Sequence, residues 1–191
     1  MGKGRLEAFS DGVIAIIITI MVLELAPPEG AGLEDLVTLA PTFFAYILSF
    51  AFVGIYWMNH HHLLQAAKHV SHVVLLANLA LLFWLSLVPF GTAWMGDSGF
   101  ASTPTAVYGA ILWIAGAAYY TLERTLVRAQ PADHGLGEAL ANPAKGRLSL
   151  LAYGASIPLA FLAPWLSLVV FIVMAGVWFV PDRKIERVIL Q

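Results

Sequence analysis

Arg5-Leu6-Glu7-Ala8-Phe9-Ser10-Asp11-Gly12 runs without a break into Val13-Ile14-Ala15-Ile16-Ile17-Ile18-Thr19-Ile20, and that junction decides the fold. The apolar block it opens, near Phe9 to Ala26, has the length that crosses roughly 30 Å of hydrocarbon at a rise of about 1.5 Å per residue. It is not read as a removable leader: Asp11 interrupts its start, it runs too long, and Pro27-Pro28 follows it without a small-residue cleavage site. An acid placed inside a spanning helix costs roughly 2.5–3.5 kcal/mol on insertion scales, so Asp11 asks for a partner or a wet cavity.

Outward from this block, the same pattern recurs near Leu36 to Leu64, Val70 to Met95, Thr105 to Val127, Leu148 to Ala163 and Trp165 to Val180. The last two meet at Ala163-Pro164-Trp165 and read either as two spans or as one kinked segment. Apolar residues are 60% of the 191 and charged ones 12%, against roughly 45–50% and 25% in soluble domains, which excludes a water-soluble fold of this size. The expectation is an all-α membrane protein, a bundle of six transmembrane helices forming one domain over residues 1–191. The largest polar segment, Ala129 to Gly146, reads as a single loop.

Orientation follows from Lys and Arg, which concentrate in cytoplasmic loops. With the N-terminus inside, six spans send Lys3, Arg5, Lys68, Arg124, Arg128, Lys145, Arg147, Arg183, Lys184 and Arg187, all ten basic residues, to one side. The opposite loops hold Glu29, Glu34, Asp35 and Asp97. Both termini are therefore expected in the cytoplasm. The basic residues are too dispersed for a nucleic-acid surface, and with no cysteine there is no disulfide framework, thiol nucleophile or thiolate metal site.

The partners for Asp11 are expected at the end of the second span, where Trp57-Met58-Asn59-His60-His61-His62 lies at the same depth as the start of the first. A carboxylate accepting imidazole N–H bonds from His60 or His61 would pin two helices together, and Asn78 in the third span is a further candidate. The bland reading is an interfacial Asp one turn below the headgroups. Three consecutive histidines point in different directions on a helix, so a metal site is not expected. At about 100° per residue, Gly12, Ile16, Thr19, Ile20 and Leu23 share one line of the first helix, with Asp11 about 140° from Ile16. Taken alone, such a stripe reads first as packing against a neighbouring helix or lipid.

At these residues the chain resembles the prokaryotic members of the transmembrane protein 175 family of potassium channels. The likeness rests on Arg5-x-x-x-Phe9-Ser10-Asp11-Gly12, on Trp57-x-Asn59-His60-His61, and on Asn78 followed by Leu85-Ser86-Leu87-x-Pro89-Phe90. Its specific part is the first half; the second half matches only as hydrophobic spans. The resemblance implies a homotetramer in a prokaryotic cell membrane, without a Thr-Val-Gly-Tyr-Gly pore loop. Its pore would be lined by Ile16, Thr19, Ile20 and Leu23 of the first helix. Ile16 would then be the apolar constriction and Thr19 a hydroxyl ring where K⁺ pauses, while Arg5, Ser10, Asp11, His60 and His61 form the network that holds the pore helix.

Two functions compete on these residues. The first is a leak-type, potassium-selective channel, with monovalent cations and the bilayer as its partners and no cofactor. The second is a proton-coupled transporter using Asp11 with His60 and His61 as a relay. An enzyme is not expected, because the spans hold no Ser/His/Asp set, His-x-x-x-His pair or Gly-x-Ser-x-Gly.

Overall fold

The protein is described from a computed structural model over residues 2–131, 135–140 and 144–179. Among these residues all regular structure is helical: α1 (Lys3–Leu23), α2 (Leu33–Thr38), α3 (Ala40–Gln65), α4 (His72–Leu85), α5 (Val88–Asp97), α6 (Ser102–Ala129), α7 (Leu136–Ala139), α8 (Ala144–Leu162) and α9 (Pro164–Phe179). Four helical stretches among the described residues are long and apolar enough to cross a bilayer, namely α1, α3, α4 continued into α5, and α6; α9 is a shorter apolar helix.

The element ends follow from local chemistry. α1 begins at Lys3, six residues before the apolar block, because a Lys3–Glu7 pair at 3.8 Å spans one turn and extends the helix into the polar zone. α3 starts with Pro41 in its first turn, where the missing N–H has no helical partner to lose. The short α2 lies in the acidic loop before it, started by the Asp35 carboxylate accepting from the Gly32 N–H at 2.9 Å. Pro89 breaks the third span into α4 and α5: it cannot donate to the Leu85 carbonyl, and Ser86-Leu87 takes up the interruption with a tighter Leu87 N–H to Trp84 C=O bond of 3.3 Å.

Cross-links fix the directions. Lys3 Nζ donates to the Gln65 carbonyl at 2.9 Å and Trp57 to Asp11 at 3.0 Å, so α1 and α3 run antiparallel. The α1 Ser10 meets Asn78 of α4, and Met21 meets Thr92 of α5, so α1 runs parallel to the α4–α5 rod. Trp178 Nε1 donates to Ser149 Oγ at 2.7 Å and Ser167 Oγ to the Ser156 carbonyl at 2.7 Å. Those two bonds show α8 and α9 doubling back on each other about Ala163-Pro164 rather than continuing as one kinked segment. Gly109 lets α6 and α8 approach, since a Cβ there would stand 2.6 Å from Ser156 Oγ. One apolar core, from Ile14 and Phe52 through Leu81 and Leu112 to Phe171, is shared by helices from both halves of the chain. Arg183, Lys184, Arg187 and Val180 lie outside the described residues, as does part of the Ala129 to Gly146 loop, of which α7 is described.

Candidate functional site: the two faces of the first helix

One face of α1 is locked into the subunit. Leu6, Ser10, Ile14, Ile17 and Met21, spaced three or four apart, are buried. Near the start of this face a chain of hydrogen bonds crosses three helices: His60 Nε2 to Asn78 Oδ1 at 2.7 Å, Asn78 Nδ2 to Ser10 Oγ at 3.0 Å, and Ser10 Oγ to the Leu6 carbonyl at 2.8 Å. For the directions to agree, His60 donates from Nε2, which leaves Nδ1 as a bare acceptor. That atom is buried without a partner among the described residues. Near the far end, Tyr108, Ser49 and Thr92 form a second buried chain with steps of 2.8 and 2.7 Å, ending on the Val88 carbonyl at 2.7 Å. One proton per hydroxyl satisfies it in that order, and Met21 closes it onto α1, 4.0 Å from the Thr92 hydroxyl.

Asp11 is bound differently from the sequence expectation. Its Oδ1 accepts from Trp57 Nε1 at 3.0 Å, and no bond to His60 or His61 forms among the described residues. His61 instead stacks on the Trp57 ring, with centroids 6.0 Å apart and planes 25° apart. The reason is rotation about α3: Trp57 and His61, one turn apart, share the half-exposed face that meets Asp11, while His60 turns inward to Asn78. The expected network therefore divides into a buried chain through Ser10 and His60, and a peripheral contact joining Asp11, Trp57 and His61. Arg5 is exposed, and its side chain bonds to no described residue. Ser49, Thr92 and Tyr108 were absent from the sequence reading. Their only signal was a hydroxyl inside an apolar span, which membrane helices use as interhelical glue.

The opposite face of α1 is left open by the described residues. Ile16 is 58% exposed, Ile20 41% and Leu23 78%, with Gly12 and Thr19 exposed on the same line, whereas Ile14 is 1% exposed. Thr19 Oγ1 donates its proton to the Ile16 carbonyl at 3.0 Å, so the oxygen's lone pairs remain on the open side. Beside this stripe a groove of about 480 Å³ opens between α1 and α5, lined by Ile16, Ile20, Glu24, Pro89 and Phe90 among others. No three His, Cys, Asp or Glu side chains among the described residues gather where they could hold a metal ion.

Residues 5–89, which contain both faces of α1 and the buried chain through Ser10, His60 and Asn78, match the family described as the endosomal/lysosomal potassium channel TMEM175. A potassium channel of Chryseobacterium sp. (strain P1-3) is 48% identical over 187 residues, covering 98% of this chain and 97% of that protein. One from Chamaesiphon minutus (strain ATCC 27169 / PCC 6605) is 34% identical, covering 90% of this chain and 91% of its own. Among solved structures, the crystal structure of a lysosomal potassium-selective channel TMEM175 homolog from Chamaesiphon minutus superposes with a TM-score of 0.81 at 29% identity, over 92% of this chain and 95% of that one. The α1 signature, its buried anchors and these near full-length likenesses together place the chain in the TMEM175 family of ion channels.

Proposed function

We propose that this chain is the subunit of a homotetrameric, potassium-selective leak channel of a prokaryotic cell membrane, a single domain of six transmembrane helices with both termini cytoplasmic. One observation carries the reading: α1 is fastened along one face by a buried hydrogen bond near its start and by Met21 against Thr92 near its end, yet its Ile16, Thr19, Ile20 and Leu23 face is left open by the described residues. Around a four-fold axis that face lines a pore, and the adjoining groove against α5 takes a neighbouring subunit. The α8–α9 hairpin supplies the fifth and sixth crossings, and the end marked by Lys3 and Lys68 faces the cytoplasm. The names of the relatives support potassium as the ion.

Four Ile16 side chains form a dry neck, and an apolar neck blocks ions because it strips hydration and returns nothing. Conduction requires widening it. One turn further out, Thr19 offers lone pairs, since its proton is committed to the Ile16 carbonyl, and these meet a partly dehydrated cation. No resident cofactor is needed. The separation of Asp11 from His60 into different hydrogen-bond groups argues against a carrier that relays protons between them.

Ile16→Asn tests the reading, because a wetted neck lets K⁺ pass with its water. Potassium current through purified protein in planar bilayers should rise. An unchanged current, together with a rise on Ile18→Asn, whose side chain packs against the core, would put the pore on the wrong side of α1.

A further inference from the structure

The open face of α1 ends on an acid. Glu24 follows Ile16 and Ile20 one turn further out, about 40° round from Ile20 at about 100° per residue, and lines the groove between α1 and α5 at its outer end. Its carboxylate is exposed and makes no hydrogen bond or ion pair with a described residue. The sequence explains why. No lysine or arginine occurs between Arg5 and Lys68, and the Lys3 to Gln65 bond puts both of those at the opposite end of the helices. The outer connection at 98–101 and the Ala163-Pro164 turn hold none either.

The backbone at the same place adds negative character. The Glu24 N–H turns to the Val22 carbonyl, and the Leu25 N–H takes Val22 as well, at 3.2 Å, so neither closes onto the carbonyl four residues back, Ile20 or Met21. Pro27 and Pro28 have no N–H to offer. Last-turn carbonyls without donors carry the negative end of the helix dipole, equivalent to roughly half an elementary charge. A carboxylate and open carbonyls thus meet at one end of the face that holds Ile16 and Thr19, and the chain brings no cation to balance them.

We infer that Glu24 sets conductance: four copies ring the outer mouth of the pore and concentrate monovalent cations there. The inference rests on the pore reading given above. Rings of acidic side chains at a low-dielectric opening focus the field on arriving cations and raise their local concentration. The carboxylates remain solvated, so they attract cations without holding one. The ring governs how often an ion arrives, whereas Thr19 and Ile16 govern its passage. The two contributions separate by salt, because an attraction between solvated charges is screened and the dehydration cost of an apolar neck is not.

Single-channel potassium conductance of the full chain in planar bilayers tests it at two salt concentrations. Glu24→Gln should fall at least about twofold below wild type in about 0.1 M KCl, where charge acts over about 10 Å, and match it in about 1 M, where it acts over about 3 Å. Agreement in the concentrated salt also shows that the variant folds. Glu24→Lys should fall further in the dilute salt, and Glu24→Asp should conduct as wild type does. Asp97→Asn should change conductance less, because that outer acid is held at the contact of α3 with α5 by Thr42 at 3.3 Å. A ratio of Glu24→Gln to wild type that is the same in both salts, or a loss in Asp97→Asn as large as in Glu24→Gln, would overturn the inference. If Ile16→Asn raises the current while Glu24→Gln shows no salt dependence, the pore reading stands and only the ring falls; if neither variant responds, both fall.

Discussion

The two faces of α1 are built from nearly the same residues and have opposite relations to the subunit. Ile14, Ile17 and Met21 on one side are sealed against α3, α4 and α5; Ile16, Ile20 and Leu23 on the other are as apolar and are left open. In a membrane, apolarity does not drive a residue inward, because lipid tails are as apolar as the core. The faces are distinguished by polar anchors: Ser10 bonded to Asn78 near the start, and Met21 against Thr92 near the end. A buried hydrogen bond at one end and a sulfur–hydroxyl contact at the other therefore set which way the helix is turned, and apolar packing fills in around them.

The largest expected effect that breaks the comparison is Ile14→Ala set beside Ile16→Ala. Lipid removes the solvent-transfer part of the cost, and the remaining cavity part at Ile14, which is fully sealed, is on the order of 2 kcal/mol. Ile16→Ala should stay within about 0.5 kcal/mol, as for exposed sites. Reversible unfolding in mixed micelles measures both, and similar losses would mean that Ile16 is packed too.

Asn78→Leu should cost roughly 1–3 kcal/mol by the same measurement, because it strands the buried His60 Nε2–H while Ser10 keeps its bond to the Leu6 carbonyl. That exceeds the ~0.6 kcal/mol average for interhelical hydrogen bonds in membranes, since the stranded donor has no alternative partner. Adding His60→Leu should recover much of the loss; a double variant as unstable as the single one would show that the hydrogen bond is not what Asn78 contributes. Trp57→Phe should cost less, under about 1 kcal/mol, because Asp11 and Trp57 are both partly exposed and water replaces the lost donor. A penalty as large as that of Asn78→Leu would move the anchor to Asp11. Thr19→Ala should leave stability unchanged and lower the potassium-over-sodium reversal-potential preference with little gain in current. An unaltered preference would remove the hydroxyl ring from the account.

The helical class and the blocks were legible because spanning length and composition are one-dimensional properties, and Pro164 marked the last turn; the break at Pro89 was not, since Val70 to Met95 reads as one unbroken apolar run. Ser10, His60 and Asn78 were recognisable as polar groups out of place. Their pairing was not fully legible: sequence gives a residue's angle on its own helix but not how far the neighbouring helix has rolled. The same missing angle moved Asp11 from a histidine to Trp57. Residues such as Ser49, Thr92 and Tyr108 were passed over because a hydroxyl inside an apolar run barely disturbs its hydropathy.

The central claim, that the uncovered face of α1 lines the pore, is tested most directly by single cysteines, since the natural chain has none. Ile16→Cys and Thr19→Cys should each make potassium current sensitive to a small thiol-reactive cation that enters the conducting pathway, whereas Ile17→Cys, facing the core, should not. Rapid block of Ile17→Cys with no effect on Ile16→Cys would contradict the account.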